Sequence, residues 1–220
     1  MDTPRPPRKI YTTGRLASRM GLAERASITA RLLPFAPQPA DWQRFTGQIE
    51  LEVGMGNGLA LLERAKAAPN RLFIGVEVFL NGLKTLLEQL EANPHITNVR
   101  VVQQDARAYL STIPAASISR LLVPYPDPWP KRDHYHRRII QPEFLTAVSQ
   151  TLAPAGEFWF ISDIPDYMAW TQTRVAICAG LQEPLTSTTP PSWWVCTKYE
   201  AKAVREGRTP SYMVALSCLT

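Results

Sequence analysis

The chain has 220 residues, 45% of them hydrophobic and 20% charged, with a net charge of +5. That length suffices for one sizeable α/β domain with a real core. No apolar run approaches the roughly 18 residues of a membrane span, and the basic, proline-rich N-terminus has no apolar stretch of the secretory kind. Three scattered cysteines, Cys178, Cys196 and Cys218, form no CxxC pair, which argues against a zinc site and a disulfide framework. A reducing, cytoplasmic setting is the expectation.

Residues 1–47 read as an extension of the domain rather than part of it. Arg5, Arg8, Lys9, Arg15 and Arg19 make a basic arm. A weak helical pattern over residues 15–33 ends where Pro34, Pro37 and Pro39 interrupt it. The domain proper is expected over residues 48–220. Ile49, Leu51 and Val53 alternate with Glu50 and Glu52, and the glycine turn Gly54, Gly56, Gly58 then leads into an apolar-periodic helix. A second strand, Arg71 to Val78, carries Glu77 at its end, and Leu80 to Ala92 has helical periodicity. Val99 to Val102 is a third strand, followed by Asp105 and a short helix. Ile118 to Val123 is a fourth. A helix from Pro142 to Leu152, with proline suited to its first turn, precedes a fifth strand, Glu157 to Ser162, and Asp163. A helix over about Tyr167 to Ala179 follows. Two β-rich stretches, Trp193 to Tyr199 and Ser211 to Cys218, close the chain. Strand and helix alternate at the lengths of a doubly wound α/β fold with a mostly parallel sheet.

In such a sheet ligands sit at the carboxyl ends of the strands. Glu52, Glu77, Asp105 and Asp163 all stand in or beside a strand end, and Asp127 lies shortly beyond the fourth. The glycine turn is GxGxG, not the GxGxxG of dinucleotide folds, because position 59 is Leu59. Glu52 beside it would repel a pyrophosphate. It suits an ammonium or sulfonium. Glu77, some 20 residues on, is placed for ribose hydroxyls, and Asp105 for an adenine amino group. Together they point to S-adenosylmethionine, which has a ribosyl-adenine and positive charge but no phosphate.

The fourth strand runs into Pro124, Pro126, Pro128 and Pro130, which bracket Tyr125, Asp127 and Trp129. Proline removes donors and fixes φ, so this loop is stiff. It leads into Lys131, Arg132, Arg137 and Arg138, interrupted by Asp133, His134, Tyr135 and His136. A second basic cluster is Lys198, Lys202, Arg205 and Arg208. Separate basic segments around a mildly acidic body suggest a polyanion partner. Lys131, Arg132, Arg137, Arg138 and the arm read as phosphate contacts. Trp129 or Tyr125 is suited to stacking on a splayed base. The two histidines lack a third partner at metal-ligand spacing, and Trp193–Trp194 reads as core or lid packing.

The segments ELEVGMGNG, IGVEV, QQDA, YPDPWPK with HRRIIQPEF, the SD at Ser162–Asp163, and TKYE resemble the bacterial tRNA (guanine-N7)-methyltransferases from about Arg8 to the C-terminus. The PDPWPK and TKYE pieces are the most specific. The resemblance implies a Rossmann-like class I methyltransferase sheet of about seven strands flanked by helices. It implies transfer of the methyl of S-adenosylmethionine to N7 of the variable-loop guanosine at position 46 of tRNA, by a monomer or homodimer without metal or membrane. Carried over by residue, Glu52, Glu77, Asp105 and Asp127 hold the cofactor beside Gly54, Gly56 and Gly58. Asp127 is the active-site acid. Lys131, Asp163, Thr197, Lys198, Tyr199 and Glu200 meet the substrate. The family pattern has phenylalanine at Tyr125 and glycine at Ala203, and a lysine- and histidine-rich run where Asp133 stands. Two readings remain beside it: methylation of another RNA base or a small amine, and a non-catalytic RNA-binding protein that kept the fold. The second predicts damaged cofactor acids, yet all four are present.

Overall fold

A computed structural model describes residues 20–219. The basic arm, Arg5 to Arg19, therefore lies outside the described residues. Seven strands form one sheet in the order β3-β2-β1-β4-β5-β7-β6. Strands β1 (Ile49–Val53), β2 (Leu72–Val76), β3 (Val99–Val102), β4 (Ile118–Pro124) and β5 (Leu152–Ser162) are parallel, whereas β7 (Ser211–Leu216) runs antiparallel to β5 and to β6 (Leu185–Ser187). The chain order reverses between β1 and β4, and the strand ends there open onto the site.

The helices fall on two faces. α1 (Leu22–Leu32), α3 (Leu59–Ala67) and α4 (Leu80–Ala92) cover one, and Leu83, Leu86, Leu87 and Leu90 of α4 pack there against Leu61, Phe73 and Val101. α5 (Ala106–Leu110), α6 (Pro142–Thr151) and α7 (Pro165–Ala176) cover the other, where Leu51, Ile74, Leu121 and Phe158 meet Phe144, Val148 and Tyr167. Every residue of β1 and β2 is buried, as parallel strands covered on both sides require. The alternation in β1 thus separates two buried faces, not core from solvent. Glu50 and Glu52 face α3, and Arg64 of α3 is buried between them, with Nε 2.8 Å from Glu50 and Nη2 hydrogen-bonded to Glu52.

Three expectations change. Pro39 opens a helix, α2 (Pro39–Arg44), because a proline in the first turn needs no N–H; Asp41 in that turn accepts the Gln38 N–H at 2.8 Å and two bonds from Arg100 at 2.7 Å. Residues Trp193 to Tyr199 form no strand. Their aromatics pack edge-on instead, Trp193 on Trp159 and Trp194 on Tyr212, and Thr197 caps α8 (Lys198–Arg205). The sixth strand is Leu185–Ser187, whose three residues are all exposed and so leave no alternation to read. Finally, Arg132–Arg137 is a 3-10 turn, and Arg138, taken with its neighbours as a phosphate contact, is fully buried.

Candidate active site

The glycine turn follows β1 directly. Gly54, Gly56 and Gly58 all have left-handed φ, 73°, 61° and 67°. Nothing lies within 4 Å of where a Gly54 side chain would begin, so the turn opens onto free space there. From below, α4 presses against it: a Cβ on Gly82 would stand 2.0 Å from the Gly56 carbonyl oxygen. The turn is also held from the side. Glu77, one residue past β2, accepts the Gly56 N–H at 2.9 Å through Oε2, and the Val78 and Phe79 N–H groups at 2.7 and 2.9 Å through Oε1. A carboxylate offers about four acceptor positions, so one remains on Oε2. Burial pushes the Glu77 carboxyl up, against the pull of those three backbone donors.

Glu77 lines a cavity of about 190 Å³ at the strand ends. Val53, Val76, Phe79, Val123 and Ile139 supply apolar wall; Asp105 and Asp127 supply two further carboxylates. Asp105 caps α5, accepting the Arg107 N–H at 2.8 Å, with the Arg107 side chain 3.5 Å away. Arg137 also faces the cavity and lies over the Trp129 ring, 4.8 Å from its centroid.

A second cavity of about 180 Å³ adjoins the first. Glu52, Met55, Asn57, Cys196, Thr197 and Lys198 line it, and Gly54, Pro124, Tyr125 and Tyr199 line both. Burial pushes the Glu52 carboxyl up more than Arg64 draws it down. Tyr125 stands at the junction in a left-handed conformation, φ 50°, with its N–H on the Ile161 carbonyl at 2.8 Å. Its hydroxyl is buried without a hydrogen-bond partner. Trp129 has φ 41°. Two non-glycine residues in this region flank Asp127, and such conformations persist only where their surroundings impose them.

This is an acidic, largely apolar-walled pair of cavities beside a tight glycine turn at the switch point of a doubly wound sheet. A family model described as "Putative methyltransferase" matches residues 46–212. Curated tRNA (guanine-N(7)-)-methyltransferases align along nearly the whole chain. The one from Azorhizobium caulinodans is 37% identical over 94% of this chain and 91% of its own, and that from Ruegeria pomeroyi 37% over 95% and 94%. The chain belongs to the tRNA (guanine-N7)-methyltransferase family. Among solved structures, the 16S rRNA methyltransferase KamB superposes with a TM-score of 0.61 at 16% identity, covering 82% of this chain and 94% of its own. A precorrin-6y C5,15-methyltransferase from Geobacter metallireducens does so with 0.52 at 14%, covering 94% and 92%. At those identities the likeness is one of fold, that of class I S-adenosylmethionine-dependent methyltransferases.

Of the residues that family resemblance singled out, Glu77, Asp105, Asp127, Gly54 and Tyr199 meet in the first cavity, and Glu52, Thr197 and Lys198 in the second. Gly56 and Gly58 shape the turn without lining either. Lys131 is exposed outside both. Asp163 is held by Arg208 Nε at 2.5 Å, and Arg208 also pairs with Glu206. Thr197 accepts the Glu200 N–H at 3.2 Å, while Glu200, buried, accepts from the Tyr212 hydroxyl at 2.6 Å and Trp194 Nε1 at 2.5 Å. Glu200 therefore anchors the start of α8 against β7 and so sets where Thr197, Lys198 and Tyr199 stand. Sequence reasoning missed the Arg64 partnership of Glu52. Its signal was a charged residue three positions after Leu61 on the apolar face of α3. Among the described residues no cluster of His, Cys, Asp or Glu could hold a metal ion, and no helix is long and apolar enough to cross a membrane.

Proposed function

We propose that the chain methylates N7 of the variable-loop guanosine, position 46, of tRNA in the cytoplasm, with S-adenosylmethionine as donor. The observation that carries this reading is the junction of the two cavities at Gly54, Pro124, Tyr125 and Tyr199, with Asp127 on one side and Thr197 and Lys198 on the other.

The residues present fit this donor. Glu77 keeps one acceptor position open in the first cavity for a ribose hydroxyl, and Asp105 stands by for the adenine edge. The glycine turn has clear space above Gly54, and the partly compensated charge of Glu52 favours an ammonium. When bound, S-adenosylmethionine supplies an electrophilic methyl carbon on a sulfonium. Guanine N7 offers an in-plane lone pair and carries no proton, so the chain has no proton to remove. Its task is positioning, and Tyr125, Tyr199 and Thr197 form the walls that orient the base. The purine gains positive charge as N7 is alkylated, and the Asp127 carboxylate stabilises that charge. Guanine N1–H and N2 are donors, for which Asp127 or Asp163 is a suitable acceptor. The exposed Lys131, Arg132, Lys198 and Lys202 neutralise phosphates.

Unmodified tRNA incubated with labelled donor, digested and resolved into nucleosides should yield 7-methylguanosine. Borohydride reduction with aniline scission should cut the chain at position 46. No 7-methylguanosine, or label in another nucleoside, contradicts the proposal.

A further inference from the structure

We infer that buried Arg138 is a positioning residue that clamps the Asp127 loop through the carbonyl of Pro128. This rests on the reading of Asp127 above. The loop from Pro124 to Pro130 contains four prolines and so offers backbone donors only at Tyr125, Asp127 and Trp129. A segment so short of donors is held by its carbonyls, and that needs a donor from elsewhere. Arg138 is such a donor. It is 0% exposed, its Nε lies 2.8 Å from the Pro128 oxygen, and Nη2 lies 2.5 Å from Asp166 Oδ2 in the first turn of α7.

The geometry is that of a built mount. The guanidinium carbon lies 3.7 Å from the Tyr135 ring centroid, 4.7 Å from Tyr167 and 4.9 Å from Trp170, so three aromatics fix its plane. Tyr135 also donates its hydroxyl to Asp166 at 3.2 Å. The Tyr125 N–H on Ile161 secures the loop before Asp127, and Arg138 grips it one residue after. A planar fork spans Pro128 and Asp166 at once. A lysine ammonium in the same aromatic box carries its donors on one atom and lacks the planar fork that reaches the two acceptors from separate nitrogens.

Two variants and two readouts test this. Arg138→Lys keeps the charge and loses the fork; Asp166→Asn removes the exposed carboxylate that Arg138 Nη2 and the Tyr135 hydroxyl share. Hydrogen exchange at the Tyr125 amide, whose N–H is bonded to Ile161 at the start of the loop, measured without substrate, should speed up in both relative to wild type. In steady state with donor and tRNA, Arg138→Lys should lower kcat by about 10- to 100-fold, the scale of lost outer support for a site residue, with both KM values within about twofold. Asp166→Asn should lower it less, and remains decisive if Arg138→Lys does not fold. Unchanged amide exchange overturns the clamp, whatever the activity. Faster exchange with kcat unchanged, or a raised tRNA KM alone, overturns the positioning role. Absence of transfer by the wild type would instead strike at the proposed reaction and leave the exchange result to judge the clamp.

Discussion

Glu77 Oε2 lies 2.9 Å from the Gly56 nitrogen, which ties the acid after β2 to the glycine turn after β1. One carboxylate thereby fixes the turn and faces the cavity beside it. Replacing it should act on both. Glu77→Ala leaves the Gly56, Val78 and Phe79 N–H groups without their acceptor, at a cost of about 1–3 kcal/mol for each one left buried and unsatisfied. Denaturant unfolding should show the loss of stability, and calorimetry a loss of donor affinity. Stability and affinity both unchanged would remove Glu77 from the site.

The two acids pushed up by burial give a pH signature. Glu52 and Glu77 keep their protons to higher pH in the folded protein than in the unfolded chain. Their contribution to stability is complete below the unfolded carboxyl value of about 4.3 and is lost as pH rises through the raised values. A donor that carries an ammonium and binds beside them favours the ionised forms. Its affinity, measured by calorimetry, should therefore weaken as pH falls through that range, and its stabilising effect should grow with pH. An affinity that never weakens as pH falls toward the unfolded carboxyl value of about 4.3 would contradict this.

Asp127→Ala should abolish most turnover, by about 100- to 1,000-fold for a lost charge-stabilising group. Donor binding should be weaker but measurable, since Glu77 and Asp105 remain. Single-turnover transfer at the wild-type rate would exclude Asp127 from the chemistry.

Tyr125→Phe removes a buried hydroxyl that has no partner. Relief of that unsatisfied group should leave stability unchanged or raise it by about 1 kcal/mol, with kcat within about twofold. A large loss of kcat would mean that the hydroxyl finds a partner on the substrate.

Lys131 and Arg132 are exposed where the loop leaves the cavity. Replacing both with alanine should weaken tRNA binding and reduce the log–log salt slope by up to about 2. Arg138 is buried and is not expected to alter that slope directly. An unchanged slope in the double variant would place the RNA elsewhere.

The sheet was readable because its signals are local. Strand and helix lengths, the glycine turn and the strand-end acids each lie within a few residues, and Leu80–Ala92 and Val99–Val102 fall where periodicity put them. The misreadings came from tertiary packing. Trp193 and Trp194 look like strand residues but spend their surface on Trp159 and Tyr212. Arg138 looks like its neighbour Arg137, and only the fold, by bringing Tyr135, Tyr167, Trp170 and Pro128 together, buries one and leaves the other facing the cavity. Glu52 was legible as a strand-end acid, but not its partner Arg64, twelve residues on.

Methyl transfer to guanine N7 depends on a lone pair that replacing one atom removes. A tRNA transcript in which 7-deazaguanosine replaces guanosine has a C–H where that lone pair would be, while phosphates and Watson–Crick edges are kept. Measured beside the unsubstituted transcript with labelled S-adenosylmethionine, it should bind with similar affinity and accept no methyl group. Transfer at a rate comparable to the natural transcript would exclude N7 as the acceptor.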